Sequence, residues 1–85
     1  MTKVTIYTTS ACPYCHMAKR LLGRKGVDFT EIDLTGKADA RDDLSVKAGG
    51  LTTVPQIWVG ATHVGGCDDL HDLEQRGALD ALLAA

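Results

Sequence analysis

Apolar and polar positions set two alternating rhythms along this chain. Residues 3–8 carry the β-formers Val4, Ile6 and Tyr7 and read as a first strand. Residues 13–25 change period: Ala18, Leu21 and Leu22 recur at three- and four-residue spacing, which predicts a helix with those side chains on its core face. Arg24 and Lys25 suit the last turn of that helix, and Gly26 is its natural stop. Residues 27–34 return to a period of two, with Val27, Phe29, Ile32 and Leu34 set against Asp28, Thr30, Glu31 and Asp33 and one irregularity. Strand, helix and strand within about thirty residues predict a parallel βαβ unit with a right-handed crossover.

Gly36 interrupts the pattern, and residues 39–47 predict a short second helix anchored by Leu44 and Val46 and ended by Gly49 and Gly50. Residues 54–59 predict a third strand, with Pro55 at its start because proline cannot donate to a ladder. Gly60 and Ala61 turn the chain into a fourth strand over residues 62–65. Asp68 or a neighbour then caps a last helix that runs through Leu70 and Leu73 and, past Gly77, through Leu79, Leu82 and Leu83. The expected architecture is an α/β layer fold around four strands, one domain over residues 1–85, without internal repeat or linker.

Composition sharpens this picture mainly by exclusion. The chain has 85 residues, 45% of them hydrophobic, and a net charge of −2, so neither nucleic acid nor membrane is an expected partner. No run approaches the roughly 20 apolar residues that cross a bilayer, and no apolar leader follows Met1. Charges segregate: Lys3, Lys19, Arg20, Arg24 and Lys25 fall early, and Asp68, Asp69, Asp72, Glu74 and Asp80 fall late. Solvated helix faces account for that. The three cysteines are few and odd in number, which argues for a reducing compartment, and the cytoplasm is expected.

The candidate chemistry lies at Cys12-Pro13-Tyr14-Cys15, between the first strand and the first helix. Pro13 fits the first helical position, where no intrahelical N–H is needed, and Cys12 then falls at the N-cap. Free N–H groups and the helix dipole favour a thiolate there, so Cys12 is the expected nucleophile and Cys15 the thiol behind it. A C-x-x-C pair in a strand–helix pattern reads as a thiol–disulfide site. The alternative, half of a tetrahedral zinc site, needs a second ligand pair, which Cys67, His16, His63 and His71 do not form by spacing. No metal is therefore expected, the histidines read as surface residues, and Cys67 reads as a small packing residue.

Three motifs in register, Cys12-Pro13-Tyr14-Cys15, Thr53-Val54-Pro55 and Gly65-Gly66-Cys67-Asp68-Asp69, resemble those of the dithiol glutaredoxins, and the chain is of that family's length. It looks most like the small bacterial glutaredoxins of the third type. The resemblance implies a thioredoxin fold with sheet order 2-1-3-4, three to four helices on both faces, and a cis bond before Pro55. It implies a monomeric, glutathione-dependent oxidoreductase in which Cys12 and Cys15 exchange disulfides. Glutathione, the reducing co-substrate, would lie along Thr53, Val54 and Pro55, flanked by Tyr14. Its γ-glutamyl end would meet Gly66, Cys67, Asp68 and Asp69, with Asp69 the carboxylate assigned to the ammonium. Glutathionylated or disulfide-bonded proteins, ribonucleotide reductase among them, are the implied substrates. Two readings compete: a thioredoxin-like electron donor and an iron–sulfur cluster carrier. One departure stands out, since Thr9 occupies the place where the family often has a lysine. Arg41 and Lys47 are the alternative cations.

Overall fold

A computed structural model of the chain describes residues 2–84. The elements run β1 (Val4–Thr8), α1 (Pro13–Arg24), β2 (Phe29–Asp33), α2 (Ala38–Lys47), β3 (Gln56–Val59), β4 (Thr62–Gly65), α3 (Cys67–Gln75) and α4 (Leu79–Ala84). The four strands form one sheet of order β2-β1-β3-β4. β1 pairs parallel with β2, as the βαβ reading requires, and antiparallel with β3, which pairs antiparallel with β4. This is the mixed sheet of the thioredoxin fold.

The pleat sorts side chains to two faces. Val4, Ile6, Ile57 and Val59 pack with Ala18, Leu21 and Leu22 of α1, with Cys67 and Leu70 of α3, and with Leu79 and Leu83 of α4. On the opposite face Trp58 packs with Leu34, Leu44 and Ala48, and Tyr7, Ile32, Ala40 and Val54 close around them. α2 thus covers one side of the sheet and the other three helices cover the other.

Three expectations are refined by packing. The second strand is shorter than residues 27–34, because pairing with β1 ends at Thr8 and Asp33. α2 is anchored by Ala40, Leu44 and Ala48, which share one face at four-residue spacing, whereas Val46 points away and is 82% exposed. The single last helix is in fact two. Gly77 adopts φ +71°, the left-handed conformation that follows a helix end, and α3 stops before it. The charge segregation also acquires a structural role: Lys25, at the end of α1, reaches Glu74 at 3.0 Å and Asp80 at 2.7 Å and so ties α1 to the last two helices.

Candidate active site

The loop that enters α1 is pinned from below. Leu34 N–H donates to Thr8 O at 2.8 Å, and Ser10 N–H donates to Thr35 Oγ1 at 2.8 Å. Thr35 Oγ1 in turn donates to Asp33 Oδ1 at 2.6 Å. Beneath the loop the buried Thr8 hydroxyl donates to Glu31 Oε2 at 2.7 Å, and Lys19 pairs with the same oxygen at 2.9 Å. The Thr8 hydroxyl and then Lys19 hold the Glu31 carboxyl below its ordinary range.

On this base α1 begins as expected, with Cys12 at the N-cap in an extended conformation and Pro13 at the first position. The Cys12 sulfur accepts the Cys15 backbone N–H at 3.1 Å, the contact that a capping oxygen would ordinarily make. The Cys12 thiol also donates to the Val54 carbonyl, at 3.5 Å. Cys12 is 8% exposed and Cys15 is fully buried, so Cys12 is the accessible thiol of the pair, though more enclosed than its position on a loop suggests. Burial pushes the Cys15 thiol up to about 12, with the hydrogen bond to Cys12 and the charge on that sulfur adding to the rise. The two sulfurs therefore have different characters: Cys12 caps a helix and Cys15 is a protonated thiol in the core.

The bond between Val54 and Pro55 is cis. Tyr14, Thr53, Val54, Cys67 and Asp68 line a groove of about 230 Å³. Tyr14 is 59% exposed at its rim, and Cys67, 5% exposed, belongs to the core as well as to the groove. Burial raises the Cys67 thiol, and the charges of Asp68 and Cys12 raise it further. Gly66 is the N-cap of α3, two residues before Asp68, which with its neighbours was the expected cap. Asp68 and Asp69 part company at this point. Asp68 lines the groove, whereas Asp69 turns its Oδ2 onto the Gly66 N–H at 3.0 Å and lines a separate cavity with His63, Leu73 and Arg76.

Of the two alternative cations, Arg41 reaches the groove loop by donating to Thr52 O at 3.4 Å. Lys47 lies against aromatic rings instead, 4.7 Å from the Trp58 centroid and 3.4 Å from the Tyr7 hydroxyl. His16 is exposed. His71 Nδ1 sits 2.9 Å from Cys67 O on its own helix. His63 is exposed yet engaged, stacked on Trp58 and 2.7 Å from Gln56 Oε1. The sequence does not single out Gln56, and His63 reads there only as a surface residue. The available signal was the hairpin itself, which sets His63 opposite Trp58. Among the described residues no group of three His, Cys, Asp or Glu side chains is placed to hold a metal ion.

The glutaredoxin family model matches residues 4–64. The chain is 66% identical over its full length to a glutaredoxin of Pseudomonas aeruginosa, all of which it covers. It is 54% identical to glutaredoxin 3 of Escherichia coli K12, with 98% of this chain and 99% of that one aligned. Among solved structures, a buckwheat glutaredoxin in complex with glutathione superposes with a TM-score of 0.89 at 27% identity, over 98% of this chain and 77% of the other. The chain belongs to the glutaredoxin family.

Proposed function

We propose that this glutaredoxin reduces glutathione mixed disulfides and protein disulfides at Cys12 and Cys15, with glutathione as the reductant. The observation that carries the reading is the Cys12 sulfur at the start of α1, accepting the Cys15 N–H and lying 3.5 Å from the carbonyl of Val54, a residue that lines the groove. The family relationship, and a relative solved with glutathione, supply the ligand. The same reading takes the 85 residues as one domain acting as a monomer in the cytoplasm.

Glutathione is an extended anionic tripeptide, and the groove offers it a matching edge. The Val54 main chain can pair with it as a short added strand. The first-turn N–H groups of α3, at Cys67, Asp68 and Asp69, have no partner within the helix and suit the γ-glutamyl carboxylate. Gly66 leads into them, and Asp68, because it lines the groove, is the carboxylate assigned to the ammonium in this reading, in place of Asp69. Thr53 and Tyr14 flank the tripeptide. Arg41, which donates to Thr52 O on the groove loop, is the cation assigned the part a lysine at position 9 would play.

With a glutathionylated protein, the Cys12 thiolate attacks the glutathione sulfur. The protein thiolate leaves and takes up a proton, and Cys12 carries glutathione. A second glutathione thiolate attacks that glutathione sulfur, releasing glutathione disulfide and the Cys12 thiolate. With a protein disulfide, Cys12 forms a mixed disulfide with the protein and Cys15 attacks the Cys12 sulfur. The released protein is a dithiol, and two glutathiones reduce the Cys12–Cys15 bond. Once Cys12 is bonded, it neither hydrogen-bonds Cys15 as a thiolate nor repels its charge. Of the causes that raise Cys15, burial then remains. The resolving thiol is thus easier to ionise at the step that needs it.

A coupled assay with glutathione, glutathione reductase and a small glutathione mixed disulfide tests the reading. Cys12→Ser loses all turnover. Cys15→Ser keeps turnover of the mixed disulfide and loses reduction of a protein disulfide. Equal loss in both variants toward the mixed disulfide would refute the mechanism.

A further inference from the structure

Gln56 is a polar side chain sealed in the sheet, 1% exposed, on the strand that follows the groove loop. Its amide nitrogen donates to Thr53 O at 3.0 Å and to Thr53 Oγ1 at 3.3 Å. Its Oε1 lies 2.7 Å from His63 Nε2. The inner end fixes the polarity of this chain. A carbonyl oxygen only accepts, so the Gln56 amide nitrogen faces Thr53 and the amide oxygen faces His63. His63 must then donate from Nε2. A stack on Trp58, with centroids 4.4 Å apart and planes 23° from parallel, holds the imidazole for that bond. A one-way series of donors therefore runs from β4 through the core to the loop that walls the groove. The Thr53 hydroxyl, accepting from Gln56, directs its own hydrogen elsewhere, and Thr53 lines the groove.

We propose that Gln56 and His63 are positioning residues for glutathione, fixing Thr53 and Val54 in the shape that receives the main chain of the tripeptide. They act through Thr53 and touch neither the reacting sulfurs nor the ligand. The inference rests on the glutathione reading above. The role also explains why a neutral amide occupies a core position: only a group that both accepts and donates passes orientation from His63 to Thr53.

The test is steady-state turnover of a small mixed disulfide at varied glutathione, in wild type, His63→Phe, His63→Gln and Gln56→Glu. Phenylalanine keeps a flat ring on Trp58 but donates nothing, whereas glutamine restores a donor. Glutamate sets an acceptor against the Thr53 carbonyl. The expected result is a rise in glutathione KM of about threefold in His63→Phe and about tenfold in Gln56→Glu, with kcat within about twofold. His63→Gln recovers most of the KM. The rate of Cys12 alkylation by iodoacetamide, without glutathione, stays within about twofold of wild type in every folded variant. An unchanged KM in His63→Phe, beside a wild type that saturates with glutathione, overturns this proposal alone. So does an alkylation rate or melting temperature that falls in step with the KM change, because that marks a general loosening. A wild type that shows no saturable use of glutathione overturns the parent reading and this one with it. If Gln56→Glu does not fold, the two His63 variants decide the matter.

Discussion

At the scale of single residues, one contact separates two chemically identical thiols. The Cys15 N–H reaches the Cys12 sulfur at 3.1 Å, while the Cys15 sulfur lies fully buried and its thiol is pushed up to about 12, chiefly by that burial. The C-x-x-C spacing made this placement legible, because a proline at the first helical position leaves the N-cap to the residue before it. The adjacent carboxylates were not separable in this way. Asp68 and Asp69 are neighbours in sequence, but a helix turns about 100° per residue, so one lines the groove and the other caps Gly66. Asp68→Ala is expected to raise the glutathione KM roughly fivefold, an exposed charge contact of about 1 kcal/mol. Asp69→Ala should act first on stability, at about 1 kcal/mol, by leaving the Gly66 N–H without its acceptor. Paired KM and melting measurements distinguish them, and the reverse pattern would move the ammonium site to Asp69.

At the scale of elements, glycines mark where the helix at the groove starts and where it stops. Gly77 has φ +71° and open space around a Cβ built there, so Gly77→Ala carries only the conformational cost of the left-handed region, about 1 kcal/mol. Gly65 has φ +111°, and a Cβ there would run into the Asp69 carboxylate that caps α3. Gly65→Ala is therefore expected to cost more than Gly77→Ala in urea denaturation, and to weaken glutathione as well, which Gly77→Ala leaves alone. Equal effects would detach the Asp69 cap from the groove. The break at Gly77 was present in the sequence: Leu73 and Leu79 are six residues apart, where a continuous apolar stripe repeats at seven. The α2 face was harder to read, since alanines at positions 40 and 48 carry little hydrophobic signal beside Val46. Gln56 and His63 were hidden for a related reason. Their contact depends on the β3–β4 register, and that register shifts between Ile57 and Trp58.

At the scale of the whole molecule, local periodicity yielded the βαβ unit and the hairpin, but not how the two join. The order β2-β1-β3-β4 sets β3 beside β1, a pairing across more than forty residues that only the family resemblance supplied. The ionisable groups then shape stability against pH from both sides. Glu31 and Asp33 are held down by Thr8 and Lys19 and by Thr35, so their contribution is present above the unfolded carboxylate range and lost as pH falls. Cys15, Cys67 and Lys25 are all held up, Lys25 by Asp80 and Glu74, so theirs is present at neutral pH and lost as pH rises. For Cys15 the window lies between its ordinary 9.0 and about 12, at a cost of about 4 kcal/mol at most. Denaturation of the reduced protein should show stability falling through that window, and a shallower fall in Cys15→Ala. An identical slope in both would show that Cys15 ionises without cost in the fold.

The central claim is that Cys12, alone of three thiols, takes glutathione. Its most direct test is to treat Cys15→Ala with glutathione disulfide at neutral pH and locate the adduct by mass spectrometry of the intact chain and its peptides. The account predicts one glutathione per chain, on the peptide that contains Cys12, released again by free glutathione. An adduct on Cys67, or none at all, would contradict it.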